Sequence, residues 1–348
     1  MTPQPQPLLI PTHEDGLPQP PHLEPPQPNA DIAALLAFFR SHRRLLLTSH
    51  ARPDGDAIGS VLALAEVLDQ LGCKADVIFA DAIPYIYRTL PNLDRIHHTA
   101  SANDVDPDPN TPAILLECDG IARTGLLGLE GRTLINIDHH ASGQFFGALN
   151  WIDEHACAVA AMVYRIAIAA QVEITPSLAT CLYTAILSDT GAFTYSSTTA
   201  DTFALAHNLA TLGANPSQIA RDLYFSNPAS KVRLLGTALN NLQLDGPIAW
   251  AWVTSEDMDR AGADAEDCEG IVNYLISIAG IEAAVFLREV PKTSLFRLSI
   301  RSKGKLDVSL VAEHFGGGGH RNASGCTLAG PLSVALDSIL TQLRAGLG

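Results

Sequence analysis

Between residues 30 and 140 the chain alternates between short unbroken apolar runs and a longer stretch in which apolar positions recur every three or four residues. The runs Leu45–Ser49, Asp76–Ala80, Ala113–Glu117 and Thr133–Ile137 predict strands, and the periodic stretch Ala57–Leu71, stopped at Gly72, predicts a helix. A further helix is expected at Ile32–Arg40, entered from Asn29 or Asp31 as N-cap. Continuous apolar strands separated by helical pattern are buried on both faces, which predicts a mostly parallel sheet with crossover helices.

From about 155 to 240 the pattern turns helical, over Ala158–Ala170, Ser177–Leu187, Thr202–Leu212, Ser217–Leu223 and Ala229–Leu239. Beyond 247 it mixes again. Strands are expected at Ile248–Val253, Glu282–Arg288 and Leu295–Arg301, and helices at Glu269–Ile278, Val308–His314 and Leu332–Leu343. The fold class is therefore α/β, with a larger domain over residues 29–225, a helical linker over 226–245 and a smaller α/β domain over 246–348. Residues 1–28 are rich in proline and glutamine, with few apolar side chains to bury, and are expected to be disordered.

Composition narrows the function classes. A net charge of −15 argues against a broad basic surface that tracks long nucleic acid, yet leaves room for a short phosphorylated ligand held in a local positive pocket. No apolar run approaches the ~20 residues of a membrane span, and the N-terminus lacks the pattern of a secretory signal. The six cysteines form no CxxC pair, so buried free thiols in a reducing cytoplasm are expected rather than a zinc site.

In open parallel sheets ligands collect beyond the carboxyl ends of the strands. Three predicted strands lead there into His50-Ala51-Arg52-Pro53-Asp54-Gly55-Asp56, Cys118-Asp119-Gly120 and Asp138-His139-His140. The helix Ser177–Leu187 runs out into Ser188-Asp189-Thr190-Gly191. Singly, each residue has a plain structural role: Asp56 could cap a helix and Asp189 could end one. Together, Asp54, Asp56, Asp119 and Asp189 carry charge that would push at least one carboxylate toward protonation unless divalent cations sit among them. Oxygen ligands with the two imidazoles of His50 and His139 suit Mn²⁺, with Mg²⁺, Co²⁺ or Zn²⁺ also matching the donors. A pair of such ions activates water and clamps the oxygens of a phosphoryl displacement.

The motifs His50-Ala-Arg-Pro-Asp54-Gly-Asp56-Ala-Ile-Gly-Ser, Leu-Glu-Cys-Asp119, Asp138-His139-His140 and Ser-Asp189-Thr-Gly-Ala-Phe resemble, in order, those of the DHH phosphoesterases. The run Gly316-Gly317-Gly318-Gly319-His320-Arg321-Asn322-Ala323-Ser324-Gly325 is similar to the signature of the DHHA1 domain. The set resembles the nanoRNase (oligoribonuclease) and pAp phosphatase branch, from about residue 30 to 345.

The resemblance implies one metal on His50 and Asp54, a second on Asp56, His139 and Asp189, and Asp119 bridging them. It implies His140 facing the scissile phosphate and Asp138 orienting the imidazoles. It also implies Arg301 gripping the substrate, with Arg288 and Arg123 as further basic candidates. The glycine run alone would suit a turn or linker. Followed by His320, however, Gly317, Gly318 and Gly319 would let backbone N–H groups approach an anion.

The activity implied is hydrolysis of short RNA oligonucleotides to nucleoside monophosphates, and of pAp to AMP, by a cytoplasmic enzyme for which a homodimer is a candidate assembly. Alternatives are a linear or cyclic dinucleotide phosphodiesterase and a non-catalytic nucleotide sensor. A pyrophosphatase and a long-strand exonuclease fit the second domain and the charge less well.

Overall fold

The computed structural model describes residues 30–140 and 145–348, so the proline-rich tail lies outside the described residues. The chain divides into two compact units between Phe225 and Ser226.

The first unit opens with α1 (Ile32–Ser41), whose N-cap Asp31 accepts from the Ala34 N–H at 2.7 Å. There follow β1 (Arg44–Thr48), α2 (Gly55–Gln70), β2 (Lys74–Phe79), β3 (Ile96–His98), β4 (Ala113–Leu116), β5 (Leu134–Asp138) and β6 (Leu149–Ile152). The helices α3 (Val159–Ala170), α4 (Pro176–Asp189), α5 (Ala200–Thr211) and α6 (Pro216–Tyr224) complete it. All six strands pair in parallel, in the order β3-β2-β1-β4-β5-β6. The chain leaves β1 toward β2 and β3, then returns to β4 on the other side of β1. The strand order therefore reverses between β1 and β4, where open α/β sheets leave a crevice for ligands.

Alternate strand residues serve two apolar layers. Leu45, Leu47, Val77, Phe79, Ile114, Leu116, Ile135 and Ile137 join a large cluster with the buried sides of α2, α3 and α4. Leu46, Ile78, Leu115 and Leu134 point the other way, under Ala102, Leu126 and Leu129 from loops and short turns. The strands β3 and β6 are not signalled by the sequence, because polar residues break their apolar runs, Ile-His-His and Leu-Asn-Trp-Ile. At Gly59, α2 touches α4 so closely that an added Cβ would lie 2.5 Å from the Cys181 carbonyl oxygen and 2.9 Å from the Ala185 Cβ.

The second unit comprises α7 (Ala229–Asn240), β7 (Gln243–Asp245), β8 (Ile248–Val253), α8 (Ser255–Ala261), α9 (Ile271–Ile276), β9 (Ala283–Glu289) and β10 (Leu295–Ser302). It ends with α10 (Val308–His314), β11 (Gly318–His320), β12 (Ala323–Ala329) and α11 (Leu332–Leu347). Its sheet, ordered β11-β12-β10-β9-β8-β7, is antiparallel except where β8 meets β9. One face packs on α10 and α11 and the other on α7 to α9.

The glycine run is half of a hairpin, Gly318–His320 pairing with Ala323–Gly325, and not an open loop. An added Cβ at Gly317 would strike the Gly325 carbonyl and Cys326, and one at Gly319 would come 2.6 Å from the Ala323 carbonyl oxygen. Backbone packing thus already requires two of these glycines, and Gly318 alone of the three faces open space. Arg301, on β10 opposite Ala323 and Ala284, bonds Nη1 to the Ile300 carbonyl at 3.0 Å.

Candidate metal centre

Three neighbouring strands end together. β1 runs into His50, β4 into Glu117, and β5 closes on Asp138 before His139 and His140. The loop after β1 is built by its own carboxylates. Asp54 is the N-cap of α2, accepting from the Asp56 N–H at 3.0 Å and the Ala57 N–H at 3.1 Å. Asp56, in the first turn of α2, is fully buried and reaches across to the N-terminus of α3. Its Oδ2 accepts from the Val159 N–H at 2.6 Å, and its Oδ1 accepts from the Ala160 N–H at 3.0 Å and the Ser60 hydroxyl at 2.6 Å. Since the N-cap of α3, Ala158, has no side chain to offer, Asp56 takes over capping from a distance.

Each metal-facing imidazole is fixed by a carbonyl. Nδ1 of His50 lies 2.9 Å from the Ala51 oxygen, and Nδ1 of His139 lies 3.0 Å from the Ala156 oxygen. A carbonyl only accepts, so Nδ1 carries the proton in both and Nε2 carries the lone pair, the tautomer a ligand needs. His50 Nε2 stands 4.0 Å from Asp54 Oδ1 and 3.7 Å from Glu117 Oε2. His139 Nε2 stands 3.5 Å from Asp189 Oδ2 at the end of α4. Two ligand groups result, His50 with Asp54 and Glu117, and Asp56 with Glu117 and His139, each with its donor atoms within 4.8 Å of one another. Glu117 belongs to both.

The electrostatics are those of a site that holds cations. Burial pushes the Glu117 carboxyl well above its ordinary range, with Asp54, Asp56, Asp189 and Asp138 adding to the push. Burial raises Asp56 as well, and lifts Asp189 to about 8. Burial drives His50 down toward its neutral form, whereas at His139 the charges of Asp189 and Asp56 outweigh burial and raise it. Asp138, fully buried, goes the other way: burial would raise it, but the hydrogen bond and charge of His140 lower it. Its Oδ1 accepts from the His139 and His140 N–H groups at 2.8 and 3.3 Å and lies 2.6 Å from His140 Nδ1. Among the described residues, Glu117 Oε2 and Asp138 Oδ2 are buried without a hydrogen-bond partner. Carboxylates crowded in this way, with imidazoles presenting lone pairs, fit divalent cations.

The structure brings His50, Asp54, Asp56, His139 and Asp189 together, with Asp138 and His140 alongside. Asp119 is the exception. It joins neither ligand group, and both its carboxylate oxygens lie 3.3 Å from Nη1 of Arg123. The carboxylate that reaches the shared position is Glu117, the last residue of the predicted strand Ala113–Glu117. A charged residue ending an apolar run is the same signal that marks Asp138, and applied evenly it finds Glu117 too. The backbone of Glu117, one residue past the end of β4, turns to φ +51° while its N–H still donates to the Ile137 carbonyl at 3.0 Å. Arg301, Gly317, Gly318, Gly319 and the backbone of His320 belong to the second unit, and the side chain of His320 lies outside what is described.

Comparison with known proteins gives a family model, the DHH family N-terminal domain, matching residues 44–186, and a second, the DHHA1 domain, matching 245–345. The chain is 34% identical over 307 residues to the bifunctional oligoribonuclease and PAP phosphatase NrnA of Thermus thermophilus, covering 86% of this chain and 89% of that one. A crystal structure of an exopolyphosphatase-related protein from Bacteroides fragilis is similar at 26% identity and a TM-score of 0.82, covering 90% and 95% of the two chains. RecJ from Thermus thermophilus in complex with Mn²⁺ shares the fold at a TM-score of 0.52 and 14% identity, over 90% of this chain and 54% of that one.

Proposed function

This chain belongs to the DHH phosphoesterase family, and on that premise we propose that it is a two-metal hydrolase. It cuts short RNA oligonucleotides to nucleoside monophosphates and converts pAp to AMP. The observation that carries this reading is the pair of ligand groups that share the buried Glu117.

DHH phosphoesterases use divalent metals, and Mn²⁺ suits the mixed oxygen and imidazole donors here. His50, Asp54 and Glu117 would hold one ion, and Asp56, His139, Asp189 and Glu117 the other. When bound, such ions activate water and neutralise charge on the phosphoryl group. The chain supplies the rest. Asp138 holds the His140 proton at Nδ1, so Nε2 is the atom through which His140 exchanges a proton with a substrate oxygen. Arg301, Gly317, Gly318, Gly319 and His320 of the second unit would grip the nucleotide.

The division proposed is a catalytic domain over 29–225 and a substrate-binding domain over 246–348, while residues 226–245, expected as a helical linker, contribute α7 and β7 to the second unit. Among the described residues no helix is long and apolar enough to cross a membrane. A cytoplasmic site and a homodimer are further parts of the proposal, the second open to sedimentation analysis.

The test is metal analysis of the full-length chain, followed by Mn²⁺-dependent hydrolysis of two- to five-nucleotide RNAs, pAp, a linear dinucleotide and pyrophosphate. Two ions per chain with mononucleotide products from RNA are expected. Bound metal and tight nucleotide binding without product would replace the enzyme by a sensor.

A further inference from the structure

Beyond Glu117 the chain passes through Asp119 into a short turn, Ile121–Thr124, before Gly125. This turn is clamped to the loop that carries His50 and Asp54. The Arg123 carbonyl accepts from the Ala51 N–H at 2.7 Å. Gly125, at φ +68°, packs so near that an added Cβ would lie 3.2 Å from the Ala51 Cβ.

The Arg123 backbone is therefore anchored against the loop that carries His50 and Asp54. Its guanidinium charge acts to lower both His50 and the Cys118 thiol. Asp119 holds it by one nitrogen only, with Oδ1 and Oδ2 both 3.3 Å from Nη1. Nε and Nη2 have no hydrogen-bond partner among the described residues. The side chain is 37% exposed, so those donors are within reach of a ligand.

The charge balance calls for such a group. Two divalent ions would only just offset the four carboxylates Asp54, Asp56, Glu117 and Asp189, so a further cation beside them would help to hold an incoming phosphate. A guanidinium offers paired donors matched to phosphate oxygens.

We infer that Arg123 grips a substrate phosphate oxygen at the metal centre and that Asp119 is its positioning residue, a reading that rests on the proposed phosphoesterase activity. Asp119 thereby acts through Arg123 and not as a metal ligand.

The test uses the Mn²⁺-loaded full-length chain and three variants, Arg123→Ala, Arg123→Lys and Asp119→Asn. Ions per chain, orthophosphate affinity by calorimetry, and KM and kcat on a dinucleotide are measured for each. Arg123→Ala is expected to keep its ions, to weaken orthophosphate binding and to raise KM about tenfold, one charge-assisted contact being lost. Arg123→Lys should recover part of that, and Asp119→Asn should keep its ions while raising KM more than it lowers kcat.

Unchanged orthophosphate affinity and KM in Arg123→Ala would overturn the inference. So would loss of an ion in Arg123→Ala, which would make the residue a brace for the ligand loop, or in Asp119→Asn, which would make Asp119 a ligand. Should the wild type bind metal and orthophosphate yet cleave nothing, the proposed activity fails. The calorimetric difference between wild type and Arg123→Ala then still decides for or against the grip.

Discussion

Glu117 sets its Oε2 3.7 Å from Nε2 of His50, at 1% exposure and with a left-handed backbone. A non-glycine residue in that conformation costs about 1–3 kcal/mol, and a buried carboxylate without a hydrogen bond costs more. Folding accepts both where a cation repays them. Glu117→Gln keeps the shape and removes the charge. It is expected to lose at least one ion and to lower Mn²⁺-dependent turnover about 100-fold or more, with the circular dichroism spectrum unchanged. Full metal content with normal turnover would remove Glu117 from the centre.

The Asp138–His140 pair makes a different prediction. With Asp138→Asn the group facing Nδ1 can turn its amide N–H toward the ring and favour the wrong tautomer. Turnover should fall about 10²- to 10⁴-fold with KM and ion content near normal, as for loss of a general acid–base group. Loss of metal in this variant would instead give Asp138 a part in ligation.

How much of this was legible in the sequence depended on how local each signal is. Strand ends are local, so apolar runs closed by His50 and by Asp138-His139-His140 pointed to one sheet edge. Glu117 closes an apolar run as Asp138 does, so it too was legible at a strand end, whereas its left-handed backbone was not. Asp56 reads as a cap of its own helix, yet it caps α3, more than a hundred residues away. The glycine run looked like an anion loop because sequence does not reveal that β12 lies against it, and β12 itself, Ala-Ser-Gly-Cys-Thr-Leu-Ala, has no apolar alternation.

Two helical glycines separate packing from propensity. Gly59 meets the Cys181 carbonyl, so Gly59→Ala should destabilise by about 1–3 kcal/mol through overpacking. It should weaken Mn²⁺ binding too, because α2 carries Asp56 and α4 carries Asp189. Gly236, inside α7, faces open space, and Gly236→Ala should stabilise by about 0.4–1 kcal/mol. Urea melts read both, and equal effects would defeat the claim of a tight α2–α4 contact.

Removing the ions should cost stability. Without them Asp56, Glu117 and Asp189 are pushed toward protonation by burial and by neighbouring carboxylates, Asp54 acting on all three. A chelator should therefore lower the melting temperature, and Mn²⁺ at a hundred times its Kd should restore about 2.7 kcal/mol. A melting temperature indifferent to chelator and to Mn²⁺ would mean that the ligand groups hold no ion.

Away from the metal centre, Arg44 ties three parts of the first unit together. Its Nε is 2.6 Å from Asp76 Oδ2 and its Nη1 is 2.9 Å from Asp106 Oδ2, while Lys74 Nζ is 2.9 Å from Asp76 Oδ1. Burial would raise both acids, but at Asp76 the hydrogen bonds from Lys74 and Arg44 win. At Asp106 the Asp108 N–H, the Thr111 hydroxyl and the charges of Arg44 and Arg132 win, so both carboxyls titrate below their ordinary values. A carboxyl depressed by folding stabilises fully above its unfolded pKa, near ~3.9, and loses that contribution as the pH falls through its lower folded value. The urea midpoint should thus decline below about pH 4. Asp76→Asn should cost about 1–3 kcal/mol at pH 7 by giving up two charge-assisted bonds. It should also flatten the acid decline, because the asparagine has no proton to take up. Wild type and Asp76→Asn declining in parallel between pH 5 and 2 would show that acid stability is set elsewhere, with Asp106 and Asp138, also lowered by their partners, next to be tested.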